Sequence, residues 1–316
     1  MTRRSLVPVF LLLSAAACGV SGQPVAFHDA RTFQAAPGKL VTLELSSLDA
    51  DVTVTPGAQI AVEVDLESRS SSPGASKGWI EGHTPTYNDS PGRLEVSVPS
   101  RRHHFLVVGY LHTEGRVRVS MPPGCALEIR TTSGDVSLAG DAELDGAVRI
   151  HTSSGDVEVN GGAGELVVNT SSGGVKVSAP RLAKLEADTS SGDIELRGGA
   201  ARVIADSSSG DIRLHDLTGD LSAHSSSGDI RAIWKALSPG RQIDIKATSG
   251  EVTVRIPAAF TPVGSLSTTS GDIRSTWEGS WGRSHKVLEL SASGGGESVA
   301  VQLRTTSGDI DLGATP

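Results

Sequence analysis

Val203-Ile204-Ala205-Asp206-Ser207-Ser208-Ser209-Gly210-Asp211-Ile212-Arg213-Leu214 is the stretch that decides the fold. Val203, Ala205 and Ser207 stand two apart, and so do Ile212 and Leu214. Spacing of two is that of a strand with one face buried. Between Ser207 and Ile212 the inward phase advances by five residues, an odd number. An uninterrupted strand cannot do that, so two short strands meet at a corner centred on Gly210.

The same pattern returns along the chain, centred on Gly134, Gly155, Gly173, Gly192, Gly210, Gly228, Gly250, Gly271 and Gly308. The separations are 21, 18, 19, 18, 18, 22, 21 and 37 residues. Around Gly155 the inward offsets carry Val148, Ile150, Thr152, Val157 and Val159. Around Gly192 they carry Leu185, Ala187, Thr189, Ile194 and Leu196, and around Gly308 Val301, Leu303, Thr305, Ile310 and Leu312. A fixed period near 20 residues signals a stacked repeat. One coil cannot bury its apolar row, but neighbours about 4.8 Å apart bury a continuous one. The expected fold is therefore all-β: a parallel β-helix, or β-solenoid, of about ten coils. An antiparallel sandwich also has turn signals every 8–12 residues, but it has no reason to repeat one corner and one set of core offsets nine times.

Three expectations attach to the corner. Glycine gives it the freedom to adopt φ > 0. The following aspartate bonds nearby backbone N–H groups and holds the turn. The serine before each glycine, from Ser133 and Ser154 through Ser307, forms a hydroxyl ladder, since hydroxyls both donate and accept. That ladder reads as structural, because no histidine recurs beside it to act as a base.

A degenerate earlier copy places Leu43, Leu45, Ser47, Val52 and Val54 around Ala50. One long N-terminal insertion, about 68–116, separates it from Gly134. Residues 68–92 are rich in Ser, Gly, Pro and Asn and read as an exposed loop. Leu94–Pro99 and Val117–Pro122 then read as strands that cap or widen the first coils. The 37-residue gap before Gly308 holds Trp277, Trp281 and Gly294-Gly295-Gly296. It reads as a protruding loop or as one extra turn with an unrecognisable corner.

The N-terminus has Arg3-Arg4, an apolar run from Leu6 to Ala17, and then Cys18. This is the order of a secretory signal, and the run is too short to span a bilayer. The division is thus 1–17 signal peptide, 18–24 lipid-attachment cysteine with a short tether, and 25–316 repeat domain. Ser14-Ala15-Ala16-Ala17-Cys18 resembles the lipobox of bacterial lipoproteins, which implies that Cys18 is the lipid-attachment site. Ala15 stands where that pattern usually has Leu, and ordinary cleavage after Ala17 is the alternative; both place the protein outside the cytoplasm. Only Cys125 remains as a second cysteine, and a Cys18–Cys125 disulfide is open if Cys18 is not acylated. Net charge is −8, about −10 once Arg3 and Arg4 are removed. That argues against nucleic acid or an anionic lipid surface as a partner of the rod, since either calls for a basic stripe. Arg101-Arg102-His103-His104 is a local basic knot that reads as a solvated loop.

From Leu43 onward the chain resembles the bacterial β-strand-repeat family DUF4097, whose members carry the label of adhesin by analogy. The residues that carry the likeness are the recurrent Ser-Gly-Asp-Val or Ser-Gly-Asp-Ile, Val117–Pro123 leading into Leu127–Val136, and the closing Leu303–Ile310. The resemblance implies the repeat architecture and brings no catalytic residues to carry over; a lipoprotein signal before such a domain fits an envelope-anchored protein.

Two rival chemistries remain. Asp135, Asp156, Asp193, Asp211, Asp229, Asp272 and Asp309 share one offset, with Glu251 equivalent and Gly174 the gap. Stacked carboxylates about 4.8 Å apart repel by about 0.9 kcal/mol in water and about 3.5 kcal/mol at an effective dielectric of 20. The column must be hydrated, hydrogen-bonded or neutralised, and calcium is one neutraliser. It lacks the nine-residue Gly-Gly-x-Gly-x-Asp period of calcium-binding β-rolls. A polysaccharide-active enzyme would need paired carboxylates and a sugar-stacking surface. Aromatics are only 3%, with Trp234, Trp277 and Trp281 as candidates. His103, His104 and His112 lack the spacing that makes a metal site persuasive. The expectation is a non-catalytic scaffold with no cofactor or metal, bound to a membrane by its lipid and offering its surface to an envelope protein or polysaccharide.

Overall fold

The computed structural model describes residues 23–100, 109–140, 144–291 and 297–315. Cys18, Arg101–His104 and Gly294–Gly296 therefore lie outside the described residues. Two compact units divide at Ala142/Glu143, and both are built almost entirely from strands.

In the second unit each repeat is two strands flanking its glycine, and equivalent residues pair in parallel. Val148 faces Leu166, Leu166 faces Leu185, Leu185 faces Val203, and Val203 faces Leu221. Beyond the corner, Val175 faces Ile194, which faces Ile212, which faces Ile230. These inward side chains are 0–3% exposed. Fully burying one such Val, Leu or Ile contributes about 1.5–3 kcal/mol, and the Gly210 rung supplies Val203, Ile212 and Leu214. The parallel solenoid read from the repeat is the observed fold.

Rungs do not stack in chain order throughout. The Gly250 rung (strands Gln242–Ser249 and Val252–Pro257) pairs with the Gly308 rung (Glu297–Ser307 and Ile310–Thr315). The Gly308 rung then pairs on its other side with the Gly271 rung (Phe260–Ser270 and Ile273–Ser275). The last rung in sequence is thus slotted in beside Gly250, ahead of Gly271. This explains the 37-residue gap: part of it is a return path, in which Val287–Leu290 runs antiparallel against Gly264–Ser267.

The first unit makes the same move at its own end. Its strands are β1 (Val25–Gln34), β2 (Leu40–Leu45), β3 (Asp49–Val54) and β4 (Gln59–Ser70), then helix α1 (Pro73–Gly82). They continue with β5 (Thr86–Ser90), β6 (Arg93–Val98), β7 (Leu111–Met121), β8 (Ala126–Arg130) and β9 (Val136–Gly140). The degenerate copy, β2–β3, pairs in parallel with the Gly134 rung, β8–β9. Strands β6 and β7 pair in parallel with its other side. The insertion therefore contributes a further rung, as the alternation of Leu94–Pro99 and Val117–Pro122 suggests. Antiparallel additions follow, β5 on β6, and β4 on β7 with β1 outermost.

Residues 68–92 are not the exposed loop that their composition suggests. They contain α1, with proline in its first turn, where a missing N–H costs nothing. Ala75, Ser76 and Ile80 form its buried face, spaced as one side of a helix, and the helix packs on β4. Packing overrides the poor helix propensity of its three glycines.

Candidate functional site

The repeated corner is the first place to look for chemistry. Most of its glycines are there for room rather than for a special φ. Of the nine, only Gly271 has φ in the range that L side chains avoid. A Cβ on Gly192 would lie 1.9 Å from the Gly173 carbonyl oxygen, and one on Gly210 would lie 1.9 Å from that of Gly192. Successive corners are packed backbone on backbone.

The hydroxyl ladder exists, but it is displaced from the serines adjoining glycine. Ser133, Ser154, Ser172, Ser209 and Ser227 are exposed. The buried hydroxyls stand three residues before the glycine: Thr131, Thr152, Thr170, Thr189, Ser207, Ser225, Thr268 and Thr305. Each of the middle ones works in two directions. Ser207 Oγ accepts the Gly210 N–H at 2.8 Å and donates to the Gly192 carbonyl of the neighbouring rung at 3.3 Å. Thr189 and Ser225 repeat both contacts. These hydroxyls close the corner and join it to its neighbour.

The aspartate column is likewise committed to the stack. Asp193 Oδ1 accepts the Asp211 N–H at 2.9 Å, Asp211 accepts from Asp229 at 2.9 Å, and Asp229 accepts from Glu251 at 2.8 Å. The bond is to the next rung rather than within the turn. Gly174 fits as the gap in the column because its N–H still donates to Asp156, at 2.8 Å. Arg213 bridges the second oxygens of Asp193 and Asp211, at 2.8 and 2.5 Å. Among the described residues no three His, Cys, Asp or Glu side chains converge to hold a metal ion.

This arrangement has a pH signature. Burial pushes the Asp193 carboxyl up, but Arg213 and the Asp211 N–H outweigh it and hold it below its ordinary value. A carboxyl depressed in the folded state stabilises the protein above the unfolded pKa, about 3.9. That contribution is lost as pH falls through the lower folded value. Arg213→Gln should therefore lower the melting temperature near neutrality and flatten its fall on acidification below about pH 4. Melting curves across that range check this; parallel profiles for the two proteins would contradict it.

A second candidate surface was missed in the sequence. On the outward face of β1, β4, β7 and β3, pairing aligns His28, Asp65, Arg116 and Asp49 in one row across four strands. The next row aligns Ala30, Glu63, Arg118 and Asp51. His28 Nδ1 lies 2.7 Å from Asp65, whose other oxygen is 2.6 Å from Arg118. Arg116 reaches Asp49 at 3.6 Å and Asp51 at 3.3 Å. Beside these rows opens a cleft of about 710 Å³, lined by His28, Asp49, Asp65, Glu67, Glu114 and Arg116 among others. The signal lay in the alternation of Glu63 with Asp65 and of Arg116 with Arg118. It becomes a surface only once β4 and β7 are known to pair.

The remaining sequence candidates fall apart from one another. Trp234 is fully buried and donates its indole N–H to the Gly219 carbonyl at 3.0 Å, so it is unavailable to a sugar. Trp281 is 45% exposed and tilts against His285. His112 pairs with Glu114 at the surface, at 2.9 Å. Cys125 is buried beside the Ala36 carbonyl, and burial raises its thiol pKa. It lines a shallow apolar recess with Pro37, Pro56, Pro122 and Pro123.

With stacked corners and exchanged end rungs in view, the sequence profile of the Toastrack family, DUF4097, matches residues 41–313. The chain belongs to the Toastrack DUF4097 family. Two solved structures share its fold. A candidate adhesin from Parabacteroides merdae is 12% identical, with 92% of this chain and 96% of that chain covered at a TM-score of 0.52. A candidate lipid-binding protein from Parabacteroides distasonis is 14% identical, with 92% and 97% covered at a TM-score of 0.50. At such identity the likeness establishes the Toastrack fold alone. No curated protein matches the chain significantly.

Proposed function

We propose that this Toastrack protein is a non-catalytic adhesion or interaction scaffold of the bacterial cell envelope, exported by residues 1–17 and held to a membrane by lipid on Cys18. The observation that carries the reading is the pair of charged rows beside the 710 Å³ cleft of the first unit. Fixed backbone pairing holds His28, Asp65, Arg116 and Asp49 at strand spacing. Such a surface offers a partner an ordered set of donors and acceptors at little conformational cost. The polar groups at the corners are spent on joining rungs, which suits a scaffold. The signal-like N-terminus and the fold shared with a candidate adhesin support the same reading.

The partner class is an envelope protein or an envelope polysaccharide. Pull-down from envelope fractions, with wild type and Cys18→Ala compared, is the direct test. Wild type should pellet with membranes and retain a partner that Arg116→Ala with Arg118→Ala releases, whereas Cys18→Ala should stay soluble. Turnover of an acidic polysaccharide by the purified protein would overturn the reading.

A further inference from the structure

Three large hydrophobic side chains are exposed among the described residues, and two of them are consecutive. Tyr110 is 51% exposed and Leu111 is 40% exposed, at the start of β7. Their backbone is held firmly: the Tyr110 carbonyl accepts from Ser70 Oγ at 3.0 Å and from the Ser71 N–H at 3.1 Å. The β4–β7 pairing, which joins Ser70 to Leu111, thus continues through these bonds to Tyr110.

Its position follows from strand register. Val25, the first residue of β1, pairs with Ser68 of β4, and Ser68 pairs with Thr113 of β7. Leu111 is two residues beyond Thr113, so Tyr110 and Leu111 stand at the same end of the first unit as Val25, about two strand spacings across. The far end of β1, at Gln34, pairs with Gln59, about 30 Å away by strand rise. Cys18 precedes Val25 by the six-residue tether Gly19–Pro24, which spans at most about 20 Å. A lipid on Cys18 therefore brings a bilayer to this end of the unit.

We infer that Tyr110 and Leu111 form a second contact with the lipid surface beside the anchor. Tyrosine suits the headgroup level and leucine the acyl boundary. The lipid supplies the affinity, while Tyr110 and Leu111 set the orientation of the first unit, so that the Gln34 end points away from the membrane. The inference rests on lipid attachment at Cys18, and the test separates the two.

Full-length lipidated protein would be reconstituted in zwitterionic phosphatidylcholine vesicles, with Cys125 replaced by Ser. A nitroxide would sit at His112→Cys, beside Leu111, or at Gly57→Cys, at the far end. The expected result at position 112 is relaxation by oxygen exceeding that by a water-soluble nickel complex by severalfold. The order should reverse at position 57. Tyr110→Ser with Leu111→Ser should return position 112 to water while the protein still pellets with vesicles. If the protein pellets but position 112 is as nickel-accessible as position 57, the lipid contact is wrong and the anchor stands. If wild type does not pellet at all, the anchor reading fails and the contact fails with it.

Discussion

Gly210→Ala is expected to abolish cooperative folding of the second unit or to destabilise it by more than about 4 kcal/mol, the range reserved for gross steric or packing failures. The added Cβ would meet the Gly192 carbonyl oxygen at 1.9 Å, its carbon at 2.4 Å and the Asp193 nitrogen at 2.9 Å. All three are backbone atoms, so no side-chain rotation relieves the clash. The Gly192 and Gly210 rungs would have to separate, which breaks the Ser207–Gly192 bond and strains the strand pairing between them. Typical domains are stable by about 5–15 kcal/mol, so one methyl group consumes much of the margin. Gly57→Ala is the control, because its Cβ meets nothing within 4 Å and its φ is ordinary; it should change stability by less than about 0.5 kcal/mol. Urea denaturation of both variants checks this, and a Gly210→Ala midpoint equal to wild type would refute backbone-on-backbone stacking.

The second large effect is expected at Ser225. Its hydroxyl is fully buried, accepts the Gly228 N–H at 2.9 Å and donates to the Gly210 carbonyl at 3.4 Å. Ser225→Ala leaves a buried donor and a buried acceptor short of a partner at once, which costs about 1–3 kcal/mol. Ser227→Ala, two residues on and next to the glycine, removes an exposed hydroxyl and should cost less than about 0.5 kcal/mol. The pair distinguishes the ladder seen in the structure from the one expected in sequence. Thermal melts in which Ser227→Ala is the more damaging substitution would place the ladder back beside the glycine.

Much of this was legible in the chain because the repeat is strict where the physics is strict. The inward offsets at Val203, Ala205, Ser207, Ile212 and Leu214 are all buried, and Leu43, Leu45, Val52 and Val54 belong to a rung despite a missing glycine. The reason for glycine was misread, since close approach of two backbones leaves the same residue in the sequence as a positive φ. The function of the aspartate was half legible: a bond to a backbone N–H was expected, but nothing local says that the N–H belongs to the next rung. Rung order was not legible. Inward positions of different rungs are interchangeable in pattern, so Ile243 could stack on Gly264 or on Val301 by alternation alone, and only tertiary packing chooses Val301. Helix α1 was hidden because its Ser and Gly content argues against a helix while its buried stripe needs β4 to exist first. The charged rows of β1, β4, β7 and β3 were hidden for the same reason.

The exchanged rung order offers the most direct measurement of the stacked architecture. Lys246 pairs with Arg304, and Arg304 pairs with Ser267. Lys246 and Ser267 are thus two rungs apart, about 9.6 Å by strand spacing and twice the separation of neighbours. A disulfide requires Cα atoms within about 7 Å. Under mild oxidation, Lys246→Cys with Arg304→Cys should form an intramolecular disulfide in high yield, and Lys246→Cys with Ser267→Cys should not. Efficient closure of the second pair and failure of the first would mean that the rungs follow chain order, and the architecture described for this end of the protein would be wrong.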